Sequence, residues 1–482
     1  MKISEIIYRE EYIFSNADED LDIDRITTSF NDADEKALLI IPNSKNIPEV
    51  ITSIKYPAAV ICDNEAKIPK EIPVIRVENP RLALSNACFR FEGIDISKFK
   101  LIGVTGTNGK TTTATFIKKI LERCGYKVGF IGTGKIEISN ESITNSDYSM
   151  TTPDPTVLYK VLKRMEIEKC EAVVMEVSSH SLALDKVAPL KFDYGVFTNL
   201  SREHTDFHSD MEDYFHTKCR LFSQCKKAIF NVDDEYGRRA YNECSQEKLS
   251  VGVIWSADVE GRNIENQGLD GVSYIYRCDN FSCKIKLKAA GVYNVYNSML
   301  AAAVCIDIGC KPCEVRPALY EISSIPGRFE IINDEITVII DYAHTDFAFY
   351  NIMKELYLLK RGNSLAVVFG CGGERDKTKR PKMAEIAESF ADRIIVTQDN
   401  SRNEDPKDII SDIIRGFKMK SYTVNENREK AIEYAILSAK KGDIVAIIGK
   451  GAEKYNIDKD GYHDFDEKAI INSALKKRKV IF

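Results

Sequence analysis

Residues 103–113 read GVTGTNGKTTT. Glycines in such a stretch let backbone N–H groups converge on phosphate oxygens, a lysine neutralises them, and an adjacent hydroxyl serves a divalent cation. Gly106, Thr107, Asn108 and Gly109 would form the cradle, Lys110 would reach the β- and γ-phosphates of a nucleotide, and Thr111 or Thr112 would hold Mg2+. The usual G-x-x-x-x-G-K-[ST] spacing asks for glycine at position 104, where this chain has Val104. The competing reading is a glycine-rich turn with a chance lysine. Context disfavours it, because LIGVTG reads as a buried strand and TTTATFIKKILERCG as the helix behind it. A helix N-terminus adds favourable partial charge for an anion.

Two further strand ends carry polar side chains. VVMEVSSHSLALD places Glu176, Ser179 and His180 after an apolar run, and GVFTNLSREHTDFH does the same with Asn199, Arg202, Glu203, His204 and Asp206. Glu176 suits Mg2+, which prefers oxygen ligands; His204 is a less usual one. Alone, each reads as an ordinary strand-end residue; beside a phosphate loop they suggest a metal and phosphate site. Lys218, in DYFHTKCRLF, reads on its own as a surface lysine of a helix. DNSRNEDP, residues 399–406, is either a solvated turn or a pocket for a charged ligand.

The elements that must position these residues form an alternating pattern. After Leu101, short apolar runs (KVGFIGT, CEAVVMEV, FDYGVFTNL, KKAIFNVDD) are mostly separated by helical segments. A second series (ITVIIDYAH, SLAVVFGCGG, ADRIIVTQDN, GDIVAIIGKG) begins near Arg328. This rhythm predicts an α/β protein: a small N-terminal α/β domain (1–98), a central P-loop domain with a doubly wound, mainly parallel sheet (99–327), and a C-terminal Rossmann-like α/β domain (328–482). Open parallel sheets bind ligands beyond the carboxyl ends of their strands, where the polar and glycine-rich residues of both series fall.

Composition narrows the function. A net charge of -6 argues against a general nucleic-acid binder. The N-terminus lacks the apolar core of a secretory signal, and no apolar run approaches the roughly 18 residues of a membrane span. The 13 cysteines are odd in number and follow no framework, as expected of reduced thiols in a cytoplasm. Cys310 and Cys313 in GCKPC read as a helix-end turn.

Taken in order, GVTGTNGKTTT, TTPDP, MEVSSHSLALDKV, TNLSREHTDFH, YFHTKCRLF, GVYNVYNSMLAA, PGRFE, DYAHT, FGCGGERDKTKRP, DNSRNEDP and GKGAEKY resemble the Mur ligase family over roughly residues 100 to 465. The resemblance implies ATP-dependent amide formation in bacterial peptidoglycan precursor synthesis. ATP phosphorylates a carboxylate, and an amine displaces the phosphate. It implies ATP and Mg2+, with Lys110 and Thr111 in the ATP site, Glu176 and His204 as metal ligands, and Lys218 carbamylated to help hold metal. Asn294, Arg328, Asp341 and His344 match nucleotide-contacting positions. Thr151, Thr152, Ser179 and Lys186 match positions that touch a UDP-muramyl dipeptide, with Lys186 where arginine is common. Arg375, Asn400, Arg402, Gly449 and Glu453 match the amino-acid pocket. Relatives that add meso-diaminopimelate read D-N-P-R where this chain has Asp399, Asn400, Ser401 and Arg402; lysine-adding relatives lack the arginine. Arg402 is therefore expected to grip a carboxylate, and Asn400 with Glu453 to take an ammonium.

The resemblance has gaps. The Asp-Ser-Arg motif of the N-terminal domain is absent from ITTSFNDADEKALLIIPNSKN, Asp346 replaces a common proline and Ala452 a common histidine. This leaves open a paralogue that ligates another amino acid, such as L-lysine, or acts on another carboxylate, and a regulatory protein without catalysis. Small-molecule substrates, no nucleic acid, no membrane span and a monomer are the expected associations.

Overall fold

The computed structural model describes residues 1–43, 56–139, 141–143, 150–202, 207–279, 281–322, 324–419 and 421–481. The chain divides into two compact units, residues 1–106, 120–198 and 214–250 in one and 107–119, 199–213 and 251–482 in the other.

In the first unit, a five-stranded sheet runs in the order Phe14–Ser15, Val74–Arg76, Ala59–Cys62, Ala37–Ile40, Arg25–Thr27. All but its first strand are parallel. Ala37–Ile40 and Ala59–Cys62 are fully buried and Val74–Arg76 largely so. The same unit holds a larger sheet with Lys100–Thr105 at its centre. Ala172–Glu176 and then Val128–Gly132 lie on one side, and Phe192–Phe197 and then Cys225–Asn231 on the other, all parallel. Two short antiparallel strands, Lys135–Ile138 and Glu141–Ile143, extend one edge. Glu176 is level with Val104, and Phe197 with Thr105. Both neighbours thus end where the phosphate loop begins.

The second unit carries an antiparallel meander, Val259–Asn266, Val272–Cys278 and Phe281–Leu287. The helix Tyr293–Ile308 packs on it, with Tyr274 Oη 2.8 Å from Ser298 Oγ. A six-stranded sheet follows in the order Glu330–Asn333, Thr337–Asp341, Ile444–Ile448, Leu365–Phe369, Arg393–Val396, Thr423–Val424. Only the first strand is antiparallel. Alternating strand residues feed two cores. Ile339, Val367, Phe369 and Val396 pack with helices Asp346–Leu359 and Lys379–Phe390. Val338, Ile340, Val368 and Ile447 pack with helices Arg428–Leu437 and Glu467–Ile481. That period of two with helices on both faces is the doubly wound arrangement. Asp341, Ile448, Phe369 and Val396 end at one level, so the loops behind them emerge together.

Behind that edge, Arg428 and Glu467 form a fully buried ion pair at 2.5 Å. Arg428 also donates to Ile448 O at 3.1 Å. Removing one partner strands a buried charge, so Glu467→Ala is expected to destabilise the second unit by about 3–5 kcal/mol. Urea unfolding monitored against wild type measures it.

Candidate active site

The phosphate loop is held by a side chain of the Phe197–Leu200 strand end. Asn108 N donates to Asn199 Oδ1 at 3.0 Å, Asn199 Nδ2 returns a bond to Asn108 O at 3.0 Å, and Thr107 N donates to Asn199 O at 2.8 Å. Lys110 opens the helix Lys110–Arg123 and its Nζ donates to Thr107 O at 2.8 Å, so the lysine lies along the loop. Gly109 has a φ of 82°, and a Cβ there would sit 2.5 Å from Asn297 Oδ1. Asn297 therefore belongs to the loop's support: its Oδ1 accepts from Thr113 Oγ1 at 3.3 Å and its Nδ2 donates to Asn294 Oδ1 at 3.1 Å. Arg328 donates to Thr111 Oγ1 at 3.2 Å, with its guanidinium 4.3 Å from the centre of the Tyr342 ring. The second unit thus brings Thr107–Thr112, Asn294 and Arg328 into one set.

Asp341 is anchored next to them. Its carboxylate accepts from Phe329 N and Ala343 N, both at 2.7 Å. Burial raises its pKa, against the opposing pull of Arg328. His344 Nδ1 lies 2.9 Å from Tyr342 O, and Lys379 Nζ donates to His344 O at 2.6 Å.

In the first unit, Glu176 is fully buried at its strand end, where Thr133 binds both carboxylate oxygens, N to Oε1 at 3.0 Å and Oγ1 to Oε2 at 3.2 Å. Thr151 Oγ1 lies 3.1 Å from Thr133 Oγ1, and Thr152 Oγ1 donates to Glu176 O at 2.9 Å. Ser179 Oγ is buried with no hydrogen-bond partner among the described residues. Lys186 pairs with Asp154 at 2.6 Å. Lys218 is not a surface lysine: it is 1% exposed, donates to Gly106 O at 2.9 Å and lies 4.6 Å from the Tyr214 ring centre. Its helix packs inward on the face that carries Tyr214, Phe215 and Thr217, a register that nine residues of mixed polarity did not reveal. His204 lies outside the described residues, as do Glu203 and Asp206.

The 399–406 segment is buried at its start and exposed at Asn403 and Asp405. Asn400 and Ser401 are buried, and Arg402 adopts a left-handed φ of 52° that turns its N–H to Ile457 O at 3.0 Å. Arg402 Nη1 donates to Gly373 O at 2.7 Å. Arg375 and Arg402 both flank Gly372, whose Cβ would lie 3.9 Å from Arg375 Cγ and 3.1 Å from Arg402 Nη1. Asn400 Nδ2 donates to Glu453 Oε2 at 2.9 Å. Its Oδ1 already accepts from Lys450 Nζ at 2.7 Å and Ile457 N at 3.0 Å, so Asn400 orients Glu453 and has no acceptor left for an ammonium. Gly449, with a φ of 129°, lets the backbone pass Asp399, whose Oδ2 would lie 2.6 Å from a Cβ there. Burial pushes the Asp399 carboxyl up, but Lys450 and Arg428 outweigh it and bring it to about 2. Burial and the nearby Asp399 raise Glu453. Sequence reasoning missed Lys450, Thr133 and Asn297 as site residues, whereas Asn199, read there as a strand-end polar residue, holds the loop. Lys450 stands between two expected pocket residues, and Asn297 lies three residues past Asn294 on one helix face; both signals were available.

A cavity of about 1050 Å3 opens in the first unit. It is lined by the loop from Thr27 to Asp34 and by Thr156, Lys160 and Arg164 of helix Pro155–Ile167. This is where the Asp-Ser-Arg motif is missing.

Comparison with known proteins agrees with this geometry. The Mur ligase middle domain matches residues 104–305, and the Mur ligase, glutamate ligase domain matches 327–451. A 2,6-diaminopimelate ligase of Clostridium acetobutylicum (UDP-N-acetylmuramoyl-L-alanyl-D-glutamate--2,6-diaminopimelate ligase 1) is 37% identical, over 99% of this chain and all of the relative. Its counterpart in Caldanaerobacter subterraneus is 40% identical over 86% of each chain. A solved structure of a UDP-N-acetylmuramoyl-L-alanyl-D-glutamate--2,6-diaminopimelate ligase superposes with a TM-score of 0.67 at 25% identity, over 99% of both chains. The chain belongs to the Mur ligase family. It is an ATP-dependent ligase that joins a carboxylate to an amine.

Gly109 tests the loop. Gly109→Ala forces an L-residue into a left-handed φ against Asn297 and is expected to weaken ATP binding about ten-fold or more, read by calorimetric titration with a non-hydrolysable ATP analogue.

Proposed function

We propose that this enzyme adds meso-diaminopimelate to UDP-MurNAc-L-Ala-D-Glu in peptidoglycan precursor synthesis, with 1–98 serving the UDP end, 99–327 the phosphoryl transfer and 328–482 the amino acid. The observation that carries the substrate assignment is the pocket of Arg402, Glu453 and Asn400, which offers a guanidinium to a carboxylate and a carboxylate to an ammonium. The names of relatives that match nearly the whole chain support the same reading.

A carboxylate of the dipeptide's glutamate attacks the γ-phosphorus of ATP, releasing ADP and forming an acyl phosphate. The amino group of the amino acid then attacks the acyl carbon, phosphate leaves with the C–O bond electrons, and the amine's surplus proton passes to solvent. Lys110 and the N–H groups of the loop stabilise charge on the transferred phosphoryl group. Asn294 and Arg328 orient the nucleotide, with Asp341 and His344 on the adjoining loop. Thr151, Thr152, Ser179 and Lys186 position the acceptor; the buried, unpartnered Ser179 hydroxyl favours such a role. Glu176, held by Thr133, together with Thr111, His204 and a carbamylated Lys218, would hold Mg2+, which when bound neutralises phosphate charge.

Phosphate release should require ATP, the UDP-dipeptide and meso-diaminopimelate together, with L-lysine a poor replacement. Lys110→Ala should abolish release, and Arg402→Lys should raise the KM for meso-diaminopimelate about ten-fold with the KM for ATP unchanged. Equal turnover of L-lysine by wild-type protein refutes the pocket assignment.

The 1050 Å3 cavity supplies cations where the family motif lost its arginine. Lys160 and Arg164 fit the role of contacting the diphosphate of the UDP end. Lys160→Ala with Arg164→Ala is expected to raise the KM for the UDP-dipeptide about ten-fold and leave the KM for meso-diaminopimelate unchanged, measured by phosphate release.

A further inference from the structure

Lys450 is the least expected side chain of the amino-acid pocket. It has no solvent exposure. Its Nζ lies 2.7 Å from Asn400 Oδ1, 3.6 Å from Asp399 Oδ1 and 3.7 Å from Glu453 Oε2. The rings of Phe465 and Tyr455 stand 5.8 and 6.0 Å away. The neighbouring Arg428 is paired with Glu467 and adds to the pull of Lys450 on Asp399. Lys450 thus faces two carboxylates, Asp399 and Glu453, while Arg402 and Arg375 stand on the Gly372 side of the pocket.

We propose that Lys450 is a specificity-determining residue. It sets the pocket's charge balance, so that a side chain ending in both an ammonium and a carboxylate is accepted and one ending in a bare ammonium is not. The inference deepens the substrate reading above and rests on it. Arg402 provides the attraction for the carboxylate; Lys450 provides the other half of the discrimination, by cancelling the excess negative charge that would otherwise draw in any cation. It acts through Asn400 and Glu453, because its ammonium fixes the amide that orients the Glu453 carboxylate.

The test compares kcat/KM for meso-diaminopimelate and L-lysine in wild type, Lys450→Met and Lys450→Gln. Each variant is also combined with Glu453→Gln. Loss of the lysine charge is expected to lower the meso-diaminopimelate to L-lysine ratio about ten-fold, chiefly through the amino-acid KM, with the KM for ATP unchanged. Lys450→Gln keeps a donor for Asn400, so it covers the case in which Lys450→Met fails to fold. Removing Glu453's charge as well takes away the carboxylate that the lost lysine had balanced and should return the ratio toward the wild-type value, which a purely structural role for Lys450 would not do. A wild type that prefers meso-diaminopimelate, with variants that keep the same ratio, overturns this inference alone. A wild type that turns over neither amino acid, or both equally, overturns the functional reading and this inference with it.

Discussion

A charge removed from water needs an opposite charge or a set of dipoles beside it. That requirement organises the carboxyl edge of the C-terminal sheet. Lys450 leaves one strand, Asp399 and Asn400 leave another, and Glu453 follows within one turn; the Lys450 ammonium meets all three. Arg402 ties this group to the loop after Leu365–Phe369 through Gly373, and Ile457 ties it to the hairpin Tyr455–Asp464. Loops that would otherwise be independent are thereby fixed as one surface, which is what a pocket for a small charged molecule requires.

The first unit meets the same constraint with dipoles. Glu176 is buried at a strand end and both its oxygens are taken by Thr133, while Lys218 is buried against the Gly106 carbonyl and the Tyr214 ring. Each is held in place by a neutral donor, acceptor or π face.

Much of this was legible before the structure. Every apolar run read as a strand is one, because fully buried parallel strands consist of continuous β-branched and aliphatic residues. The phosphate loop declared itself by its glycines and its place between strand and helix. Val104, where the usual motif has glycine, is inside the strand and fully buried, while Gly106 and Gly109 carry the positive φ values. Pairwise side-chain partnerships were not legible. Nothing local shows that Asn400 spends its amide oxygen on Lys450, that Lys218 faces inward, or that Thr133 clasps Glu176, because these depend on contacts 43 to 112 residues apart in the chain. The N-terminal cavity was hidden for the opposite reason: the missing motif was visible, but its lining comes in part from a helix that belongs to the following region of the sequence.

The account turns on which groups meet the end of the amino-acid side chain. A crystal structure of the enzyme with ADP and the UDP-tripeptide product reads that directly. The account predicts the distal carboxylate within hydrogen-bond distance of Arg402, the distal ammonium on Glu453, and Lys450 still on Asn400. A distal terminus pointing to bulk solvent, with Arg402 and Glu453 untouched, would contradict it.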